Sequence, residues 1–342
     1  MKKKKAFISG VSGQDGAYLA RLLLEKGYEV VGGERINAER NYWRLKELQI
    51  DKDVRIIPFE LLDENNINEV IKSGNYNEFY NLAAQSFVNK SFLSPVYTTR
   101  VNALSVVNIL EAIRNFSSKT KFYQASSSEM FGNIKSKMRH EKTNFRPVSP
   151  YAVSKLYAHW MLDIYRNVYG MYCCSGILFN HDSPLRGEDF VTKKIISDLV
   201  KIKLKKKKYL ILGNIYVRRD WGYSKDYVEA MWKMLQQKKA DDYVISSGIT
   251  HNVKTFVNKV ARYLKIDLTW KGNGLSERAI DKKTKKIIVK VSKTLFRPNE
   301  IDHAYGSSSK ANNILKWKPK TNIDTLVKIM CEAELEKHNK LK

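Results

Sequence analysis

Two short segments carry residues able to do chemistry. Tyr151 and Lys155 stand four positions apart, which on a helix puts a phenol and an ammonium on one face. A free phenol titrates near 10, so it serves as a base near neutral pH only where a cation favours the phenolate. Spacing alone says little. A chain with 19 tyrosines and 61 Lys and Arg residues supplies such pairs by chance, and Tyr42 with Lys46 is another. Position separates the two: Ser149-Pro150 precedes Tyr151 as a helix start would, whereas Tyr42 is expected in a basic loop. The second segment is Gln124-Ala125-Ser126-Ser127-Ser128-Glu129. Its plain reading is a capping box of Ser126 with Glu129. Its chemical reading is a serine hydroxyl that bonds an alcohol being oxidised, with the carboxylate two residues on reaching the adjacent carbon. Both readings stay open at this point.

Such residues need elements to hold them. Residues 6–9, 28–32, 54–59, 79–84, 121–125 and 175–179 read as strands, with helical spacing at 17–24 and 101–113. Strand and helix in alternation imply right-handed βαβ units and a parallel sheet covered on both faces. Ligands bind at the carboxyl edge of such sheets, where the 124–129 segment falls. After residue 180 the pattern loosens. Helices are expected at 191–204, 224–236, 253–264 and 325–337, with strand-like stretches at 209–212 and 287–291. The predicted fold class is α/β, a Rossmann-type doubly wound sheet with a smaller α/β substrate-binding lobe.

Gly10, Gly13 and Gly16 form GxxGxxG between the first strand and first helix. Glycines there allow a tight turn and close approach of backbone to a pyrophosphate at the helix N-terminus. A simple structural turn is the alternative. The second strand ends Gly32-Gly33-Glu34-Arg35. An acid at that end suits a free ribose 2′-hydroxyl and an arginine suits a 2′-phosphate. Arg35, with Arg40 and Arg44 in support, favours NADP, while NAD stays possible and the last two arginines have a surface-charge reading. An oxidised nicotinamide beside Tyr151 would favour its phenolate further.

Composition bounds the rest. The chain has 342 residues, 43% hydrophobic and 28% charged, enough for a sizeable core and about two domains. No apolar run approaches a membrane span. The lysines at the start resemble a signal peptide, but Gly, Gln and Asp soon break the apolar stretch after them, so a cytoplasmic protein is expected. Cys173, Cys174 and Cys331 show no disulfide or zinc spacing, and no metal is expected. The net charge is +26, which would suit nucleic acid. The excess sits in short lysine runs without the arginine forks and aromatics of nucleic-acid readers, so solvated faces that attract small anions are the expectation.

At these residues the chain resembles the extended short-chain dehydrogenase/reductase family and, within it, the GDP-mannose 4,6-dehydratases. The resemblance rests on GVSGQDGAYLA (10–20), NLAAQSFV (81–88), QASSSEMFG (124–132), SPYAVSK (149–155), LFNHDSPLRGEDFVTKKI (178–195), LGN (212–214), RDWGYSKDYVEAMW (219–232) and FRPNEID (296–302). It implies that Ser127, Glu129, Tyr151 and Lys155 are catalytic. Cofactor contacts are implied for Gly10, Gly13, Gly16, Arg35, Leu82, Ala84, Lys155, His181 and Arg186. A GDP-sugar is implied at Ser86, Asn180, Val191, Lys194, Gly213, Arg219, Arg297 and Glu300. The implied reaction turns GDP-mannose into a 4-keto-6-deoxy sugar, for deoxysugar synthesis, with a recycled NADP and a homodimer or homotetramer as the working form. Several positions depart from the family pattern: Ser127 replaces a usual Thr, Ile36 a second Arg, Glu60 a common Asp, and Ile249 a usual acid. Tyr216-Val217 stands where small or polar residues are common. The last departures leave open GDP-manno-heptose as substrate. A nucleotide-sugar 4-epimerase is a further alternative, which would have no need of Glu129. The expected division is a cofactor domain of 1–180 with 221–248 returning to it, and a sugar-nucleotide lobe of 181–220 and 249–342.

Overall fold

The computed structural model describes residues 3–36, 42–134, 138–296 and 300–339. Seven strands form one sheet: β1 (Lys5–Ser9), β2 (Glu29–Glu34), β3 (Arg55–Pro58), β4 (Glu78–Asn81), β5 (Lys121–Ser127), β6 (Cys173–Leu178) and β7 (Tyr243–Ile245). Every pairing is parallel, in the order β7-β6-β5-β4-β1-β2-β3. The expected doubly wound sheet is present. Strand order reverses beside β1, and the carboxyl ends of β1 and β4 flank that switch point. Phe7 of β1 explains why the layers close: its ring centroid lies 4.9 Å from Phe59, 5.0 Å from Tyr76 and 4.7 Å from Phe79. These aromatic pairs add to the area each ring buries.

Two local features differ from the expectation. The helix expected at 101–113 begins with a π-helical turn, Arg100–Leu104, before Ser105–Phe116. Strand β7 went unread because three residues are too few to show a period. Its outer edge is covered by Glu141, which accepts the Val244 N–H at 2.8 Å, a common protection for an edge strand. Tyr42 lies outside any helix or strand, as expected, directly before the short helix Trp43–Glu47.

The chain forms two compact units. The first comprises Met1–Phe179, Ser224–Ile245 and Gly306–Lys318; the second comprises Asn180–Tyr223, Ser246–Tyr305 and Pro319–Lys342. Residues 306–318 thus pack in the first unit, not with the rest of 249–342. Trp317 accounts for this: it is buried, its Nε1 donates to Asp226 O at 2.8 Å, and its ring meets Tyr227 edge-on.

The second unit has its own core, from Ile195, Leu199, Val257, Val260, Met330 and their neighbours. Helices Val191–Lys203, Val253–Tyr263 and Ile323–Asn339 pack on one another around it. Two four-stranded sheets complete it, one centred on Arg218–Tyr223 and one containing Ile287–Val291. Lysines 205–208 and 282–283 and 285–286 lie exposed at turns. The three cysteines are buried and unbridged, and burial pushes each thiol up to about 12. Among the described residues no helix is long and apolar enough to cross a membrane.

Candidate active site

The glycine turn is shaped to bring backbone close to a ligand. Gly10 has φ +70, a left-handed conformation that favours glycine. A Cβ on Gly16 would lie 2.3 Å from Gly10 O and 2.7 Å from Val11 Cα. Both are backbone atoms that cannot step aside. The turn is held by Gly10 N–H to Gly33 O at 2.9 Å and Gly13 N–H to Gly10 O at 3.0 Å. It opens the helix Gln14–Glu25, whose first N–H groups suit phosphate oxygens. These features fit a dinucleotide.

Beyond β2, Arg35 is exposed. Glu34 accepts the Ser12 N–H at 2.6 Å, so the acid braces the glycine turn. Arg44 donates to Ser12 O at 3.1 Å, while Arg40 lies outside the described residues. Glu60 accepts the Ile36 N–H at 2.6 Å. After β4, Leu82 N–H donates to Ser9 Oγ at 3.1 Å, Ala84 is half-buried, and Ser86 is exposed.

The reactive pair sits on the helix Pro150–Val168. Ser149 caps it by accepting the Ala152 N–H at 3.1 Å, and Pro150 opens it. Tyr151 and Lys155 are buried, with Lys155 Nζ 6.0 Å from the Tyr151 ring centroid. Lys155 Nζ donates to Ala125 O at 2.8 Å. Burial lowers its pKa from the usual 10.5 to about 8, since desolvation disfavours the charged form.

Ser127 ends β5 and caps the turn Ser128–Phe131, its Oγ accepting the Glu129 N–H at 3.2 Å. The capping residue is therefore Ser127. Ser126, which one of the two open readings gave that role, points to the opposite face, as alternation along a strand requires, and meets Ser175 Oγ at 2.8 Å. The helix Pro150–Val168 packs on the Ser128–Phe131 turn. Ser127, Glu129, Tyr151 and Lys155 are thus carried by elements in contact within the first unit.

Other candidate residues belong to the second unit. Arg219 is buried there; its Nη1 donates to Ile301 O at 2.5 Å and Arg218 O at 3.0 Å, and its Nη2 lies 3.4 Å from Glu300 Oε1. Arg297 falls outside the described residues. A Cβ on Gly213 would come 2.4 Å from Leu295 O, so the two backbones approach where only glycine fits. Val191 begins a helix, and burial lowers the pKa of Lys194 one turn on. Asn180 and His181 lie on the strand Asn180–Asp182, and Arg186 pairs with Asp182 at 3.1 Å while covering the Phe190 ring.

Comparison with known proteins decides the family. A family profile described as GDP-mannose 4,6 dehydratase matches residues 7–330. The chain belongs to the GDP-mannose 4,6-dehydratase family. A relative from Sinorhizobium fredii, named GDP-mannose 4,6-dehydratase, is 43% identical over 97% of this chain and 97% of its own. One of that name from Drosophila melanogaster is 42% identical over 98% of this chain and 87% of its own. Among solved structures, dTDP-glucose 4,6-dehydratase DesIV of Streptomyces venezuelae, with NAD and TYD bound, superposes with a TM-score of 0.82 at 18% identity, covering 98% of each chain. RMD of Pseudomonas aeruginosa, complexed with NADPH, superposes with a TM-score of 0.76 at 20% identity over 98% of this chain and all of the other. These two likenesses concern the fold.

As a member of the GDP-mannose 4,6-dehydratase family, the chain is an enzyme of the dehydratase, or lyase, type. One set of residues escaped the sequence reading. Ser9 Oγ donates to Asn81 Oδ1 at 2.6 Å, Asn81 Nδ2 to Gln124 Oε1 at 2.8 Å, and Gln124 Nε2 to Ala125 O at 3.2 Å. This buried ladder runs from the strand before the glycine turn to the carbonyl that receives Lys155. Its signal was present as three polar residues at the ends of strands read as apolar.

Proposed function

We propose that this enzyme converts GDP-mannose to GDP-4-keto-6-deoxymannose, with NADP as a recycled cofactor, in deoxysugar synthesis. The observation that carries the reading is the Ser127–Glu129 turn beside the helix of Tyr151 and Lys155, which offers two proton-transfer groups where an epimerase needs one. Gly10, Gly13 and Gly16 would hold the pyrophosphate, and Leu82, Ala84, His181 and Arg186 the rest of the cofactor. Arg35, exposed just past β2, supports the 2′-phosphate of NADP over NAD. When bound, the nicotinamide would supply the hydride chemistry, as acceptor at the sugar C4 and as donor at C6.

Tyr151, as phenolate stabilised by the Lys155 ammonium, accepts the O4 proton, while Ser127 orients that hydroxyl. The C4 ketone acidifies the C5 hydrogen. Glu129 removes that proton and delivers it to the departing C6 hydroxyl, which leaves as water. Tyr151 then returns its proton to C5. Each group ends in the protonation state in which it began. Ser86, Asn180, Val191, Lys194, Gly213, Arg219, Arg297 and Glu300 are proposed for the GDP-sugar; Arg219 is the candidate for the diphosphate, being a buried guanidinium.

A second reading keeps the chemistry and lengthens the sugar to GDP-manno-heptose. The exposed Tyr216 and Ile249, where the family pattern has other residue types, favour it. Mass spectrometry of the enzyme with NADP⁺ and each nucleotide sugar tests both. Loss of one water from GDP-mannose is expected, loss from the heptose alone moves the substrate, and loss from neither sinks the dehydratase reading. Glu129→Gln is expected to keep cofactor bound and to stop water loss, with turnover falling by about 10²–10⁴.

The working form is proposed to be a homo-oligomer built on a dimer of this chain, acting in the cytoplasm. Val153, Tyr157, Trp160, Ile164 and Val168 form an exposed apolar stripe on the helix that carries Tyr151. Helical spacing puts these residues on one face, which a second copy could cover about a two-fold axis. Trp160→Glu is expected to leave a monomer in sedimentation; an unchanged mass would remove this face from the contact.

A further inference from the structure

Ser126, Ser175 and His159 have no part in the chemistry above, yet they form a buried chain of hydrogen bonds beside it. His159 Nδ1 lies 2.8 Å from Ser175 Oγ, and Ser175 Oγ donates to Ser126 Oγ at 2.8 Å. A hydroxyl has one proton to give. Ser175 gives its proton to Ser126, so it accepts from His159, and the ring carries its proton on Nδ1. Burial holds the ring's pKa below the usual 6.5, which keeps it neutral with one N–H to place. Ser175 is fixed further by its own N–H, which donates to Asp242 Oδ1 at 3.0 Å. The His159 ring meets Phe145 edge-on at 5.2 Å. All three side chains are 5% exposed or less.

The elements these residues occupy give the chain its meaning. His159 stands one turn beyond Lys155 and two beyond Tyr151, on the same face of the helix Pro150–Val168. Ser126 stands between Ala125, whose carbonyl receives Lys155, and Ser127. The helix is therefore tied to the end of β5 at two points about 6 Å apart along its axis, once through Lys155 and once through His159. Arg166, whose Nε donates to Cys173 O at 2.9 Å, and buried Ala158, Leu162 and Tyr165 hold the rest of the helix on the sheet. The His159 tie is the one that reaches the strand residue next to Ser127. Tyr151 lies one turn before the Lys155 tie, and Ser127 directly follows Ser126.

We propose that His159, Ser175 and Ser126 form a positioning bridge that keeps Tyr151 and Lys155 in register with Ser127 and Glu129. None of the three touches substrate. Their effect passes through the helix and the strand, where a displacement of about 1 Å costs up to about 10²-fold in rate. The inference rests on the dehydratase reading for its kinetic readout.

The test is steady-state kinetics of Ser126→Ala, Ser175→Ala and His159→Phe with NADP⁺ and GDP-mannose, beside the wild type. Each variant is expected to lose about 10- to 100-fold in kcat with KM for the nucleotide sugar unchanged. His159→Asn, which can place an N–H near the Nδ1 position, and Ser175→Thr, which keeps the hydroxyl, are expected to recover most of it. The double variant His159→Phe with Ser126→Ala should lose no more than the worse single one, because the bridge is already open. An unchanged kcat in Ser126→Ala and Ser175→Ala, a rise in KM in place of the fall in kcat, or additive losses would each overturn the bridge. Should His159→Phe fail to fold, Ser126→Ala decides, since it removes one oxygen. If the wild type releases no water from either nucleotide sugar, the functional reading fails separately. The bridge is then judged by amide hydrogen exchange in 125–131 and 150–159: faster exchange in Ser126→Ala supports it, and unchanged exchange overturns it.

Discussion

The two units hold their polar side chains by different means. At the sheet edge of the first, the ladder Ser9–Asn81–Gln124 and the chain Ser126–Ser175–His159 are made of neutral groups. Lys155 is the ion set among them, and burial weakens its hold on its proton. In the second unit several low-exposure contacts are ion pairs: Lys193 with Glu334 at 2.7 Å, Lys254 with Glu277 at 2.6 Å, Arg186 with Asp182 at 3.1 Å and Arg219 with Glu300 at 3.4 Å. Neutral hydrogen bonds set geometry without adding a field, which suits groups that must exchange protons. Paired ions hold a charged side chain in place at low exposure, and a buried guanidinium such as that of Arg219 offers directional donors to an anionic ligand. The contrast agrees with the proposal that the first unit carries the reaction and the second the recognition of the nucleotide sugar.

If that contrast holds, damage in the first unit lowers kcat and damage in the second raises KM. Tyr151→Phe should have the largest effect, removing the acid and base in one step and lowering kcat by about 10³ or more. Stopped-flow absorbance of the reduced cofactor would locate the block at the first step, and retention of near-normal turnover would remove Tyr151 from the chemistry. Arg219→Ala comes next: KM for the nucleotide sugar should rise by about 10- to 100-fold, as expected for losing bonds to a charged group, with kcat little changed. A fall in kcat at constant KM would erase the division between the units.

Gly16→Ala should act more gently on stability than on binding. The added methyl meets Gly10 O at 2.3 Å, so the turn must shift, at about 1–3 kcal/mol. Cofactor affinity measured by fluorescence titration should fall along with the melting temperature, and normal affinity would show that the turn does not hold the cofactor.

The smallest effect concerns Lys155 and pH. Its folded-state pKa of about 8 lies below the usual 10.5, so between those values the unfolded chain binds more protons than the folded one. Stability therefore rises with pH across that window, by at most about 3 kcal/mol. Activity should move the other way, because the ammonium that favours the Tyr151 phenolate is lost above about 8. Urea unfolding of wild type and Lys155→Met at pH 7.5 and 9.5 measures the first effect, and a kcat profile over the same range measures the second. A profile flat to pH 10 would mean that Lys155 keeps its proton.

What the linear chain determined is local. Glycines three apart after an apolar strand specify the turn, Ser149-Pro150 specifies a helix start, and a four-residue interval puts Tyr151 and Lys155 on one face whatever surrounds them. Those features depend on bond geometry over a few residues, so they are legible without coordinates. The capping role that went to Ser127 in place of Ser126 depended on where β5 ends, which alternation alone does not say. Strand β7 and the packing of 306–318 in the first unit depended on partners far away in the chain. The polar ladder was decided by the tertiary structure alone: Ser9 and Asn81 are 72 positions apart and Asn81 and Gln124 are 43 apart, and parallel register brings their side chains within bonding distance. Hydrogen bonds between remote strands have no period or spacing to read, because their geometry exists once the sheet has formed.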